Sequence, residues 1–161
     1  MISLDLIDIR LVTSHLFLKD TFDHFSFIDG EVTTFNTFRI DGYIQKDFFD
    51  TDSGLPEYSY WKNVREFCFS LVRGKRTPLN FRFVLCLPQK NIRRLVEEHI
   101  PSLDPETVRG LYLNLTFDGK HLSCVTGTSF HTFTLDKSLE HMWDEMVQTF
   151  LKKQNIPFEK K

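Results

Sequence analysis

Cysteine is scarce, at three of 161 residues (Cys68, Cys86, Cys124), and the three are widely spaced. An odd number so placed fits reduced interior thiols better than a disulfide framework or a zinc site. Glycine and proline are few, seven and six, and no Pro/Ser-rich linker divides the chain, so one domain spanning 1–161 is expected. No apolar run approaches the ~20 residues that cross a bilayer. Met1-Ile-Ser-Leu-Asp-Leu has neither a basic start nor an apolar stretch for secretion, so a cytoplasmic chain without a membrane partner is expected. Nor is there an excess of one charge: 20 basic against 22 acidic residues leave −2 formally. With 41% apolar and 26% charged residues, disorder is excluded. A chain of this size buries roughly 70% of its unfolded surface, enough for a core without metal or disulfides.

Phenylalanine is abundant instead. Seventeen of them, most set among Thr, Ile, Val and Leu in alternating runs, suit pleated, half-buried surfaces and predict a sheet-rich body. Charge is uneven along the chain: residues 1–56 carry 10 acids and 4 bases, 57–99 carry 4 and 9, and 100–161 carry 8 and 7. The basic middle is a candidate anion-facing patch, weighed against ordinary solvation of helices and loops.

Ile2, Leu4 and Leu6 alternate as a strand, and Ile7, Leu11, Val12, His15 and Leu18 take helical spacing over 8–18. Residues 25–28, 31–35 and 38–44 read as three strands, the first two joined by Asp29-Gly30, a strong short-range hairpin signal. Residues 47–56 are a loop. Trp61, Val64, Cys68, Leu71 and Val72 form the stripe of an amphipathic helix inserted over 57–73, closed at Arg73-Gly74, where glycine permits a left-handed cap. Residues 79–87 alternate as a long strand, and Ile92, Leu95, Val96 and Ile100 trace a second helix. A second strand triple follows: 111–117, the turn Asp118-Gly119, 120–125, a bend at Gly127, and 130–135. The last helix, over 137–153, carries Leu139, Met142, Trp143, Met146, Val147, Phe150 and Leu151 on one stripe, with Asp136 as its cap and Glu140, Asp144 and Glu145 on its solvent side.

The order strand, helix, three strands thus occurs twice, in units 1–56 and 79–136. The fold class expected is α+β: two βαβββ units forming an antiparallel sheet with helices packed on one face, plus two extra helices. This order resembles one domain of the DNA sliding clamps, and Asp118-Gly-Lys-His-Leu-Ser-Cys-Val-Thr-Gly-Thr-Ser-Phe-His-Thr-Phe looks like a clamp strand pair. The resemblance implies a DNA-clamp-like sheet with helices turned toward a duplex. Clamps hold several such domains per ring, whereas this chain has one pair of units. Separately, Thr34-Phe-Asn-Thr-Phe-Arg-Ile-Asp-Gly, Arg73-Gly-Lys-Arg-Thr-Pro, Thr134-Leu-Asp-Lys-Ser-Leu-Glu and Trp143-Asp-Glu-Met look like an uncharacterised domain-of-unknown-function family of anaerobic Gram-positive bacteria. That family implies no activity.

For chemistry, Arg73, Lys75 and Arg76 place three cations in a tight loop after a helix, suited to a phosphate or a nucleic-acid backbone, with a helix end solvated by its cations as the plainer alternative. Lys90, Arg93 and Arg94 would support them under the clamp resemblance, although i,i+4 pairs Arg93–Glu97 and Arg94–Glu98 are expected to neutralise that face. Asp47, Asp50, Asp52 and Glu57 cluster without calcium-loop spacing and read as turn formers, so no metal and no cofactor is expected. The six histidines show no zinc spacing, and His131 with Cys124 or Ser129 lacks an orienting third group, so no catalytic residue is assigned. The aromatics Phe48, Phe49, Tyr58, Tyr60 and Trp61 suit packing better than base stacking. The expectation is a non-enzymatic binding or scaffold module, with DNA or a protein as partner and self-association through open strand edges. The alternative is an enzyme or small-molecule-binding protein with a pocket between sheet and helices.

Overall fold

The computed structural model describes residues 1–50 and 54–161. The chain begins with β1 (Ser3–Leu6) and α1 (Ile9–Phe17), whose start is fixed by Asp8: its carboxylate accepts the Leu11 N–H at 3.0 Å. Then come β2 (Ser26–Thr33), β3 (Thr37–Asp41), α2 (Trp61–Val72), β4 (Asn80–Cys86), α3 (Gln89–His99), β5 (Val108–Phe117), β6 (Leu122–Phe130), α4 (Ser138–Lys153) and β7 (Phe158–Lys160). The class is α+β, as expected. One seven-stranded sheet runs β3-β2-β4-β5-β6-β1-β7, and each adjacent pair is antiparallel. Side chains of all four α-helices join one core with Leu4, Phe27, Phe83, Leu85, Leu113, Leu115 and Cys124 of the sheet.

Several sequence expectations give way. Asp29-Gly30 does not turn; β2 runs through it with an irregularity between Phe27 and Asp29, and the chain reverses at residues 34–36, where the Thr34 N–H donates to the Asn36 carbonyl at 2.9 Å. The reason lies in packing. A Cβ on Gly30 would stand 2.7 Å from the Phe83 ring, so glycine serves here as floor for an aromatic rather than as a turn former. Asp29 accepts a 2.9 Å bond from Arg82 on β4.

Asp118-Gly119 does turn. Asp118 accepts the N–H groups of Lys120 (2.9 Å) and His121 (2.7 Å), and these bonds draw its carboxyl down to about 2. The strand expected over 130–135 is missing, because β6 continues without a bend through Gly127 to Phe130, and 131–137 are irregular. Each unit is therefore βαββ. They are not laid side by side: β4, β5 and β6 of the second unit lie between β1 and β2 of the first. The tail, in turn, is strand β7 on the edge of β1.

Phe17, Phe27, Phe81 and Phe83 fill the layer between sheet and helices, whereas Phe35, Phe48, Phe67 and Phe133 are exposed. Trp61 lies 5.2 Å from Phe83, and Phe17 packs 6.0 Å from Trp61 and 5.8 Å from Phe83, ring centre to ring centre. Arg65 grips Asp23 through two nitrogens, at 2.8 and 3.3 Å, and also donates to the Phe17 carbonyl at 3.2 Å, tying α2 to the end of α1. Asp144, expected in solvent, is buried: it accepts the Thr126 hydroxyl at 2.5 Å and the N-terminal ammonium at 3.1 Å, which also reaches Glu140. Asp136 does hold the start of α4, accepting the Ser138 N–H at 2.9 Å.

A candidate binding cleft between two helices

The α3 helix begins three residues after the end of strand β4, and two adjacent stripes of it face the body of the protein. Ile92 and Val96 are fully buried on the sheet. Asn91, Arg94, Leu95 and Glu98, spaced i, i+3, i+4, i+7, form the next stripe and turn toward α4. Opposite them α4 presents Trp143, Met146, Val147 and Phe150 at the same spacing. The two stripes do not close on one another. Between them is a cleft of about 210 Å³, with Leu113 of β5, Leu87 and Phe25 contributing its remaining walls.

The walls are fixed. Trp143 is held by its indole N–H, which donates to the Tyr112 carbonyl at 3.0 Å, and the Phe150 ring meets Phe25 edge-on at 6.0 Å. The only polar side chains among its lining residues, apart from that indole, are Asn91, Arg94 and Glu98, all from α3.

The six sequence-predicted cations are not brought together. Arg73, Lys75 and Arg76 are exposed on the loop before β4, where Arg73 is extended and Gly74 takes φ 144°, outside the left-handed helical cap expected there. Lys90, Arg93 and Arg94 lie past the other end of β4, seven residues or about 20 Å away along the strand. Even on α3 the cations part. Arg93 pairs with Glu97 at 3.8 Å and with Glu106 of the following 3-10 turn. Arg94 faces the cleft, and among the described residues it makes no ion pair; the expected Arg94–Glu98 bridge is not formed.

The other candidates also separate. Asp52 lies outside the described residues, and among those described no group of three His, Cys, Asp or Glu side chains is placed to hold a metal. Cys124 points into the core, its thiol pushed up to about 12 by burial, while His131 is exposed beyond the end of β6. Trp61 is buried, whereas Phe48 is exposed. Among the described residues no helix is long and apolar enough to cross a membrane.

The sequence shows Trp143, Met146, Val147 and Phe150 as one helical stripe, and Trp143 and Val147 are buried accordingly; that the stripe also walls a cleft, and that Asn91 borders it, is not legible there. The available signal was the second α3 stripe: Leu95 is an apolar residue flanked at −1 and +3 by opposite charges.

Fold and cleft together define an α+β protein with one antiparallel sheet, a helical layer on it and an apolar recess between two of the helices. The chain belongs to the Family of unknown function (DUF5721), whose model matches residues 15–159. No curated protein and no solved structure matches it.

Proposed function

We propose that the protein binds a small apolar molecule in the cleft between α3 and α4. The observation that carries this reading is a recess of about 210 Å³ walled by Phe25, Leu95, Leu113, Trp143, Val147 and Phe150, with polar groups confined to one rim. An apolar recess edged by a few polar groups is the usual form of a small-ligand site. A dry cavity of ~150 Å³ admits benzene, so this one takes a single ring with a short substituent. Two tryptophans give two indole N–H resonances, and only Trp143 lines the cleft. Titration with indole, a neutral probe, should shift the Trp143 resonance saturably and leave that of Trp61 in place. Absence of any shift at millimolar indole would overturn the reading.

A second reading keeps the nucleic-acid expectation for the loop alone. Arg73, Lys75 and Arg76 are exposed and, among the described residues, make no ion pair, which supports contact with a polyanion. The clamp-like arrangement gains less support, since the four α-helices carry eight basic and six acidic residues and so offer no strongly basic wall. A labelled duplex retarded by wild type at low salt, and not by the triple alanine at 73, 75 and 76, is the expected result for this reading; equal retardation by both contradicts it.

A further inference from the structure

We infer that the ligand of the α3–α4 cleft is an apolar α-amino acid, held by its zwitterionic end. The inference rests on the cleft being a ligand site. Arg94 and Glu98 are four residues apart on one helix face, a spacing at which side chains ordinarily meet, with Cβ atoms ~5–6 Å apart. One residue earlier on the same helix, Arg93 and Glu97 do come within 3.8 Å. Arg94 and Glu98 instead both border the cleft, and among the described residues no ion pair joins them. Two opposite charges that border one apolar recess without pairing match a molecule with a carboxylate and an ammonium on one carbon and an apolar chain below.

Each group then has a partner. The Arg94 guanidinium presents paired N–H donors to the ligand carboxylate, the geometry at which arginine excels. The Glu98 carboxylate accepts from the ligand ammonium. Asn91, three residues before Arg94, carries both a donor and an acceptor and serves either group. A monoanion of the same shape would meet Glu98 as a like charge, and a monocation would meet Arg94 the same way. Size selects the side chain: about 210 Å³ suits phenylalanine, leucine or methionine, and Trp143, Phe150 and Phe25 favour a ring.

The experiment is calorimetric titration of the whole chain with L-phenylalanine, 3-phenylpropionate, which lacks the ammonium, and phenethylamine, which lacks the carboxylate. L-Phenylalanine should bind at least about tenfold more tightly than either analogue, the scale of one charge-assisted hydrogen bond. Arg94→Ala should erase the preference over phenethylamine without weakening phenethylamine itself, and Glu98→Gln should erase the preference over 3-phenylpropionate without weakening 3-phenylpropionate; both positions are exposed, so the fold should tolerate either change. Equal affinity for all three compounds would overturn the zwitterion assignment and leave the apolar cleft standing. An L-phenylalanine preference untouched by either substitution would overturn the placement of the charged end. Failure of all three, with indole also inert, would remove the ligand site itself.

Discussion

The Trp61 indole N–H lies 2.7 Å from the Leu16 carbonyl, and both residues are fully buried. No water reaches that carbonyl if the indole is taken away. Trp61→Phe leaves a buried acceptor unsatisfied and a void beside Phe17, Phe27 and Phe83. The expected loss is about 2–4 kcal/mol, from an unmade buried hydrogen bond plus a cavity, read as the shift of a urea unfolding midpoint with unchanged slope. A loss under ~0.5 kcal/mol would show that this bond does not anchor α2 to α1.

Gly30 and Gly127 make a matched pair. Each is a strand residue, yet a Cβ on Gly30 would sit 2.7 Å from the Phe83 ring, and one on Gly127 would find ordinary contacts at 3.6 Å. Gly30→Ala should therefore cost about 1–3 kcal/mol through forced movement of Phe83. Gly127→Ala should be neutral or stabilise by about 0.4–1 kcal/mol through the unfolded chain. Thermal melts of the two variants give the comparison, and equal melting temperatures would contradict it.

The same glycine explains what could be read from the sequence and what could not. The helices were legible because their stripes, such as Leu139-Trp143-Val147-Leu151, depend on local period alone. β4 and β5 were legible for the corresponding reason. Asp29-Gly30 and Asp118-Gly119 look identical as dipeptides, and only the second turns, because the first is occupied from across the sheet by Phe83, a partner more than fifty residues away. Strand order was hidden likewise, since the insertion of β4–β6 between β1 and β2 is a matter of distant pairing. The cleft required knowing that α3 and α4 are neighbours; without that, the packed faces of Trp143 and Phe150 are legible but their cleft-facing sides are not, and Arg94–Glu98 reads as a closed surface pair.

His15 is buried and bonded to the Thr21 hydroxyl at 2.6 Å. Burial, with Lys19 close by, lowers its pKa below the ordinary 6.5. Below 6.5 the unfolded chain binds this proton more readily than the folded one, so stability falls as the pH drops through that value toward the folded pKa. Above it the contribution is constant. His15→Gln should flatten the acid-side slope of unfolding free energy just below pH 6.5 relative to wild type. An unchanged slope would place the proton uptake elsewhere.

The thiols of Cys68, Cys86 and Cys124 are buried and raised by that burial to about 12, 11 and 12. Thiolate at neutral pH is accordingly negligible, and access is closed. An aromatic disulfide reagent should find none of the three in the native protein within minutes and all three in denaturant. Rapid native labelling of one would reveal local opening around it, most informatively at Cys86, which faces the side of the sheet away from the helices.

The most direct measurement is a crystal structure of the protein grown with L-phenylalanine. The account predicts ligand density in the cleft, the ring between Leu95 and Trp143, the carboxylate on Arg94 and the ammonium on Glu98. A well-ordered map with the cleft closed by its own side chains, at a ligand concentration that saturates the titration, would contradict it.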